Sequence, residues 1–199
     1  MDRPPVILVE GERVALGPLR RDLVSTYATW DGDLELSALR GRDLRPRSEL
    51  EWERTVDAEP GDGTRVFFTV YETVYEHKAP RPIGVAMLLQ VDSGHRTADF
   101  GIYLGERDTW STGVGTEATR LALDFAFHAL GMHNVLLRVI AENGRAIKAY
   151  ERAGFKVVGR RRESFRLGQR VFDDVYMDCL AHEFESPVVK RLWERVFGA

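Results

Sequence analysis

The feature that most constrains the fold is a strand, a glycine-containing loop and a long helix that follow one another directly. Phe100, Ile102 and Leu104 alternate with Asp99, Gly101 and Tyr103, which predicts a strand with two unlike faces. The stretch from Val114 to about Leu130 is apolar over most of its circumference, which predicts a buried helix. The loop between them contains Gly113 and Gly115. The polar residues of the helix form one narrow stripe that we expect to face solvent: Glu117, Arg120, Asp124 and His128.

The loop has the properties of an anion site. A strand, a tight turn and a helix N-terminus bring unpaired backbone N–H groups together, and the helix dipole favours negative charge there. Gly113 and Gly115 let the backbone approach a pyrophosphate closely. A Walker loop is excluded, because Gly115 is followed by Thr116-Glu117 and not by Lys-Ser/Thr. A dinucleotide fingerprint fits poorly, because Ile140–Glu142 has the wrong continuation, and a plain turn stays open as the alternative.

The bulk composition is that of a single globular domain. The chain has 199 residues, of which 44% are hydrophobic, and a formal net charge of -3. This balance argues against nucleic acid as a partner, since binding a polyanion requires many Lys and Arg. One cysteine, Cys179, cannot form an internal disulfide, which favours a reducing compartment. No secretion signal or apolar run of membrane-spanning length is recognisable, so we expect a cytoplasmic protein without membrane contact.

The remaining pattern alternates helices and strands without repeats or linkers. It predicts an α+β fold with a strand–helix–strand unit at its centre. Ser186 and Pro187 begin a terminal amphipathic helix, which either packs on its own domain or forms a homodimer contact. The other predicted elements are helices at about Leu23–Trp30, Ser48–Val56 and Asn143–Gly154, and strands at Val66–Tyr71, Ile83–Val91, Val135–Ile140, Lys156–Phe165 and Arg170–Leu180.

A second motif follows the strand that ends at Ile140, and it consists of Asn143, Ala146, Tyr150, Gly154 and Phe155. Together with Gly113-Val114-Gly115, it resembles the Gcn5-related N-acetyltransferase (GNAT) superfamily, in the branch of ribosomal-protein-alanine and spermidine acetyltransferases. The coenzyme A loop of that family reads [Q/R]-x-x-G-x-[G/A], and its later motif reads N-x-x-[A/S]-x-x-x-Y-x-x-x-G-F. Trp110 stands where the loop usually has Gln or Arg. The similarity extends over about Arg96–Leu180.

The resemblance implies a fold and an activity. The fold is a mixed, mainly antiparallel sheet of about seven strands, flanked by helices, with a splayed central strand pair. One N-acetyltransferase domain would comprise a substrate-side half (1–95), an acyl-CoA-binding core (96–180) and a C-terminal helix (181–199). The implied reaction moves an acetyl group from acetyl-CoA to a primary amine by direct attack in a ternary complex, without a metal. The acceptor would be a small-molecule amine or a protein N-terminus.

The resemblance also implies which residues bind the coenzyme. Backbone groups of the splayed strand would pair with pantetheine, and loop N–H groups would hold the pyrophosphate. Asn143 would bond the pantetheine arm, alongside its role as a helix N-cap. Arg145 is either a phosphate ligand or a solvated helix charge. The other coenzyme-binding candidates are Ile102, Tyr103, Leu104, Trp110, Ser111, Thr112, Gly113, Val114, Gly115 and Thr116.

Two residues are the catalytic candidates. Tyr150 would be the general acid, because a tyrosine (pKa about 10) stays protonated until a thiolate (thiol pKa about 8.5) is expelled. Its alternative role is that of a core aromatic. Asp99 would be the base that removes a proton from the alkylammonium, and its alternative role is an ion pair with a nearby arginine. His95 and Glu106 are lesser candidates for the base.

The acyl group and the acceptor are open at this point. Asp31, Asp33 and Glu35 either attract a cationic amine or form a solvated turn. The arginines of the last hairpin either form a solvated face or bind an anionic acyl group such as succinyl. A transferase for another acyl-CoA and a non-catalytic acyl-CoA-binding module are therefore the alternatives. The hairpin arginines are Arg160, Arg161, Arg162, Arg166 and Arg170.

Overall fold

The computed structural model of the protein describes residues 4–41, 44–58, 61, 63–73 and 79–198. Its strands are β1 Val9–Glu10, β2 Val14–Pro18, β3 Val66–Glu72, β4 Arg81–Asp92, β5 Thr97–Leu104, β6 Asn134–Ile140, β7 Lys156–Leu167 and β8 Arg170–Leu180. Its α-helices are α1 Val24–Asp31, α2 Leu34–Leu39, α3 Glu49–Asp57, α4 Val114–His128, α5 Gly144–Ala153 and α6 Val189–Phe197.

The described strands form one mixed sheet in the order β1-β2-β3-β4-β5-β6-β8-β7. All neighbours are antiparallel except β5 and β6, which are parallel and joined by the crossover helix α4. The predicted α+β class and mainly antiparallel sheet are confirmed. The described sheet has eight strands where about seven were expected. The shortest of these, β1, has only two residues, too few for alternation to reveal a strand.

The central strand pair β5 and β6 is splayed, as predicted. The two strands pair only at their beginnings, where Thr97, Ala98 and Asp99 face Asn134, Val135 and Leu136. Beyond these pairs β5 continues beside β4 as far as Leu104, whereas β6 continues beside β8 as far as Ile140. The edge of β5 that faces β6 is therefore left without a strand partner, which opens a gap through the sheet.

Two hydrophobic clusters cover the two faces of the sheet. One cluster packs α4 on Phe100 and its neighbours, while the other packs α1, α2 and α3 on Tyr103 and its neighbours. The alternation predicted for β5 is confirmed by this division, because Phe100 and Tyr103 belong to opposite clusters. Ser48 caps α3, as expected, and forms a reciprocal capping box with Glu51.

The polar stripe predicted on α4 does not face solvent throughout, because α6 covers part of it. Asp124 is fully buried, and its carboxylate accepts hydrogen bonds of 2.8 Å from the backbone N–H groups of Val188 and Val189. The indole of Trp193 donates to the carbonyl of His128 at 2.9 Å. The terminal helix therefore packs on its own domain. Within the described ranges, none of the helices combines the length and apolarity needed to cross a bilayer.

Candidate active site

The gap between β5 and β6 opens into a cavity of about 470 Å³. Both sheet faces contribute to its lining: α4 and α5 on one side, and α2 with residues of β4 and β8 on the other. Most of the predicted site residues line it, namely Asp99, Ile102, Tyr103, Leu104, Trp110, Ser111, Gly113, Gly115, Thr116, Asn143 and Tyr150. The splay therefore gathers residues that are far apart in the sequence around one space.

The predicted pantetheine edge, Ile102 to Leu104, lines this cavity beyond the last β5–β6 pair. One of its groups already has a partner inside the protein, because the carbonyl of Leu104 accepts a hydrogen bond of 3.0 Å from the indole N–H of Trp110. This contact fixes the loop to the strand through a side chain. No sequence pattern indicated this side-chain contact.

The loop after β5 leads into an uncapped N-terminus of α4. Ser111 and Gly113 have φ values of 64° and 98°, so the chain turns sharply, and Gly113 caps α4 without a side-chain hydrogen bond. In the described part of the chain, the N–H groups of Val114, Gly115 and Thr116 have no acceptor. Such groups at the positive end of a helix bind anions.

Two predicted loop residues do not line the cavity. The carbonyl of Thr112 accepts a hydrogen bond of 2.9 Å from the Arg13 guanidinium, and its hydroxyl donates to the carbonyl of Thr109 at 2.8 Å. The side chain of Val114 is fully buried in the core under the sheet. Both residues shape the loop, and only their backbone N–H groups are left for the predicted role.

Trp110 also connects the loop to α5 across the cavity. The Arg145 guanidinium lies 4.1 Å from the centre of its indole ring, and that of Arg107 lies 5.2 Å from it. Cations at this distance are attracted by the ring face. Arg145 is therefore not simply a solvated helix charge, because it lines the cavity and packs on Trp110.

Asn143 holds the start of α5 against the end of α2. Its side-chain oxygen accepts a hydrogen bond from the N–H of Ala146 at 3.2 Å, which is the predicted N-cap. Its side-chain amide donates to the carbonyl of Leu39, also at 3.2 Å. The predicted contact with a pantetheine arm would have to share or replace this second bond.

Tyr150 lies against aromatic rings on α5's face of the sheet. Its ring meets Phe100 edge-on at 6.3 Å between centroids, and Phe155 at 5.9 Å. Its hydroxyl has no hydrogen-bond partner among the described residues, and burial raises the pKa of Tyr150 to about 12. The phenol is held in place by packing while its proton stays unshared, which suits a group that donates a proton to a ligand.

Asp99 lies on the other face of β5, at the last residue that pairs with β6. The side-chain amide of Gln90 donates to its carboxylate at 3.1 Å. The predicted alternative, an ion pair, is not formed among the described residues, since the nearby Arg138 bonds instead to Asp174 at 3.2 Å. Burial raises the pKa of Asp99, while the charge of Arg138 opposes that rise.

The lesser candidates for a base lie outside the cavity lining. His95 is exposed and bonds to Asp92 at 2.8 Å, and Glu106 accepts a hydrogen bond of 2.9 Å from the indole of Trp30. The hairpin arginines do not line it either, and Arg160 pairs with Asp173 at 2.6 Å.

The acidic cluster after α1 is engaged within the protein. Asp31 bonds to Arg40 at 2.8 Å, Asp33 caps α2 and bonds to Arg107 at 2.7 Å, and Glu35 bonds to Arg107 at 2.6 Å. None of these three carboxylates lines the cavity. The cluster is therefore an ion-paired helix start and not an open cation site.

One comparison decides the family. The acetyltransferase (GNAT) domain matches residues 13–156, which is most of the chain. The chain belongs to the GNAT family. The resemblance inferred from the loop and from the Asn143–Phe155 motif is thereby confirmed, and the match extends it upstream over the half of the chain where the sequence motifs gave no signal.

Several characterised GNAT proteins are similar to the chain in sequence. The spermidine N(1)-acetyltransferase of Escherichia coli (strain K12) is 29% identical over 101 residues, which are 51% of this chain and 54% of that protein. The spermidine N(1)-acetyltransferase of Vibrio cholerae is 31% identical over 111 residues, which are 56% of this chain and 64% of that protein. The alignment thus spans little more than half the length of these relatives.

The GNAT fold itself is shown by solved structures. The crystal structure of spermidine N-acetyltransferase from Vibrio cholerae in complex with CoA and spermine has a TM-score of 0.78 at 23% identity. The likeness covers 86% of this chain and 98% of that one. A dodecameric structure of the same enzyme has a TM-score of 0.72 at 24% identity.

The GNAT motifs left the acceptor side of the cavity unassigned. Leu36, Leu39 and Arg40 reach the lining from α2, and Leu89 and Gln90 reach it from β4. The two helices predicted in this half of the chain, which are α1 and α3, do not line the cavity. The contribution comes from α2, which no sequence pattern predicted. Only the structure shows that Gln90 has a φ of 48° where β4 loses its register with β5, and irregular strand positions often occur beside sites.

Proposed function

We propose that the chain is an N-acetyltransferase that transfers an acetyl group from acetyl-CoA to a primary amine. The observation that carries this proposal is the cavity in which an unpaired strand edge, an uncapped helix N-terminus, Tyr150 and Asp99 meet. The family and the relatives support it. Those relatives are spermidine N-acetyltransferases, and one of them was crystallised with CoA and spermine.

The coenzyme would lie along the α4–α5 side of the cavity. The edge from Ile102 to Leu104 would pair with the amides of pantetheine, and the N–H groups from Ser111 to Thr116 would hold the pyrophosphate. Arg145, Lys148 and Arg152 line the same side and supply positive charge for the phosphates.

The chemistry follows from the positions of the two titratable groups. Asp99 takes a proton from the ammonium of the acceptor, directly or through a water molecule. The free amine attacks the thioester carbonyl carbon and a C–N bond forms. The attacking nitrogen then releases its second proton to solvent, and the C–S bond breaks. Tyr150 gives its proton to the departing sulfur, and solvent then restores both side chains. A positioned acid or base of this kind contributes about 10²–10⁴ in rate.

Direct attack is favoured over a covalent acyl-enzyme. Cys179 is 1% exposed at the end of β8, and burial raises the pKa of its thiol to about 12. A thiol with such a pKa stays protonated at neutral pH and is a poor nucleophile. It does not line the cavity, so its role is to fill the core.

The alternative donors and roles have less support. The hairpin arginines that suggested a succinyl group lie away from the cavity lining. A module that binds acyl-CoA without turnover would have no use for an unshared phenol proton beside the cavity. We therefore keep acetyl-CoA as the donor and catalysis as the role.

Thermal unfolding with acetyl-CoA, succinyl-CoA, free CoA, ATP and NAD tests the coenzyme. A ligand at about 100 times its Kd stabilises by about 2.7 kcal/mol, which raises the Tm of a domain of this size by roughly 5–10 °C. We expect a shift with the CoA compounds alone. Transfer of radiolabelled acetyl to a panel of amines then tests catalysis. Binding without transfer would leave only the binding module, and no shift at all would contradict the proposal.

A further inference from the structure

The catalytic carboxylate of the proposed mechanism lies between two leucines. In the sheet, Asp99 pairs with Leu89 on one side and with Leu136 on the other. Residues directly opposite each other in neighbouring strands have their Cβ atoms only about 5 Å apart. An ammonium that reaches Asp99 therefore meets these two leucines along the sheet, together with the Gln90 amide that donates to the carboxylate at 3.1 Å.

An apolar wall lines the cavity on the same side of the sheet as Asp99. Leu36 and Leu39 line the cavity from α2, and Met87 lines it from β4. Leu36 is 6% exposed and Met87 is 3% exposed, so the wall is continuous with the core. A substituent on the amine would lie against these three side chains, and burying an apolar substituent there is favourable at about 25 cal/mol per Å².

One carboxylate and two guanidinium groups from the described residues line the cavity on the side of this wall. Asp99 is the one carboxylate among the described lining residues, whereas Arg40 and Arg138 both line the same side. Asp31 and Asp174 neutralise the two guanidinium groups from behind the lining, at 2.8 and 3.2 Å. The side chains of Arg40 and Asp31 are only 11% and 10% exposed, which keeps this pair intact.

From this arrangement we infer that the acceptor is a primary monoamine with an apolar substituent, and that polyamines are poor acceptors. The inference rests on the proposed function, because it names the acceptor of that same site. The single ammonium of a monoamine can pair with the carboxylate of Asp99. A second ammonium on the same carbon chain would lie among leucines or beside a guanidinium, and an ammonium taken out of water without a partner is destabilised by several kcal/mol.

Three acceptors of equal chain length test this inference. The probes are n-pentylamine, pentane-1,5-diamine and 5-aminopentanoate, each with acetyl-CoA and the wild-type protein. They differ only in the far end of the chain, which is a methyl, an ammonium or a carboxylate. We expect kcat/KM for n-pentylamine to exceed that for the diamine by at least about tenfold, as an unpaired buried ammonium requires.

Three results would overturn the inference. A diamine that reacts as fast as n-pentylamine would show that the wall accepts a second ammonium. A 5-aminopentanoate that reacts faster than n-pentylamine would show that Arg138 or Arg40 receives a carboxylate from the acceptor. Spermidine serves as a further probe, and turnover of spermidine at the n-pentylamine rate would also contradict a monoamine acceptor.

A pair of variants at the wall tests the physical cause. Leu39→Glu places a second carboxylate in the lining, whereas Leu39→Gln has the same shape without the charge. The measured quantity is the ratio of kcat/KM for n-pentylamine to kcat/KM for pentane-1,5-diamine. We expect this ratio to be about tenfold lower in the Glu variant than in the Gln variant. Equal preferences in the two variants would show that the lining charge does not select the acceptor.

Failure of the inference is distinguishable from failure of the proposed function. If the diamine or spermidine is acetylated best, the protein is still an N-acetyltransferase and only the acceptor class is wrong. If none of these amines is acetylated, although CoA compounds raise the Tm, the proposed catalysis is wrong and the acceptor inference is overturned with it.

Discussion

A Cβ atom placed on Gly115 would lie 3.5 Å from Cδ1 of Leu104, which is an ordinary contact. The backbone of Gly115 is helical and needs no glycine, in contrast to Gly113, whose φ is 98°. The protein itself therefore gives no reason for glycine at this position. A ligand that approaches the helix N-terminus does give a reason for a small residue there, in keeping with the Gly or Ala of the loop motif.

We predict that Gly115→Leu separates stability from coenzyme binding, because the loop motif has only Gly or Ala at this position. Leucine in a helix is more favourable than glycine by about 0.5–1 kcal/mol, so the free energy of unfolding should rise or stay level. The added side chain should weaken coenzyme binding and reduce the Tm shift produced by acetyl-CoA. Thermal unfolding with and without acetyl-CoA measures both effects. A variant that is as stable as the wild type and shows the full Tm shift with acetyl-CoA would show that the coenzyme does not approach this turn.

Tyr150→Phe should lower kcat by about 10²–10⁴ while the Tm shift with acetyl-CoA stays unchanged. The reason is that the phenyl ring keeps its packing on Phe100 and Phe155, and only the acidic proton is lost. Tyr176→Phe removes a hydroxyl from the opposite side of the cavity and should cost much less activity. Equal losses in both variants would contradict a specific role for Tyr150.

The pH dependence of the reaction should report Asp99. Because burial raises the pKa of this carboxyl, the acidic limb of kcat/KM should lie above the ordinary aspartate value of about 3.9. Asp99→Asn should remove that limb and lower the rate by about 10²–10⁴. Steady-state rates between pH 4 and 9 measure this. An unchanged limb in the variant would assign the base to another group.

Asp99→Asn should also be more stable than the wild type at neutral pH. A carboxyl whose folded-state pKa is raised holds its proton more tightly when folded, so the free energy of unfolding falls as pH rises from the unfolded to the folded pKa, and is constant above it. Asparagine removes this penalty. Asp173→Asn is the opposite case, because hydrogen bonds from the Glu163 N–H and Arg160 lower the pKa of Asp173. Thermal unfolding at pH 7.5 should give a Tm above that of the wild type for Asp99→Asn and a Tm below it for Asp173→Asn.

The buried carboxylate of Asp124 should hold α6 in place. Asp124→Ala leaves the N–H groups of Val188 and Val189 without their acceptor, and we expect the free energy of unfolding to fall by about 2–4 kcal/mol. Glu194→Ala, on the exposed side of the same helix, should change it by less than about 0.5 kcal/mol. Denaturant unfolding of both variants compares them. Similar losses would mean that Asp124 does not anchor the helix.

Sequence patterns that extend over a few neighbouring residues were sufficient to predict the central helices and strands. The alternation in β5 and the apolar circumference of α4 are local consequences of strand and helix geometry, so they could be predicted. The same holds for the Asn143 cap and the turn at Gly113, where side-chain or backbone chemistry within three residues decides the conformation. These elements carry most of the residues that line the coenzyme side of the cavity.

Contacts between distant residues could not be predicted. The indole of Trp30 packs so closely on Gly105 that a Cβ there would lie 2.1 Å from the ring, and nothing near either residue signals the other. Asp124 was expected in solvent because its stripe on α4 is polar, yet α6 covers it. Both cases depend on which element packs on which face, and hydrophobic periodicity does not specify the partner.

The sequence by itself determined the α+β class, the GNAT motifs and the residues around the proposed coenzyme site, because hydrogen bonding and burial within short segments are encoded locally. Only the tertiary structure decided the acceptor side. There, α2 brings Leu36, Leu39 and Arg40 against Asp99's face of β5, across some sixty residues of sequence. The physical reason is that a side chain's charge partner and its burial depend on packing between elements, which no local pattern fixes.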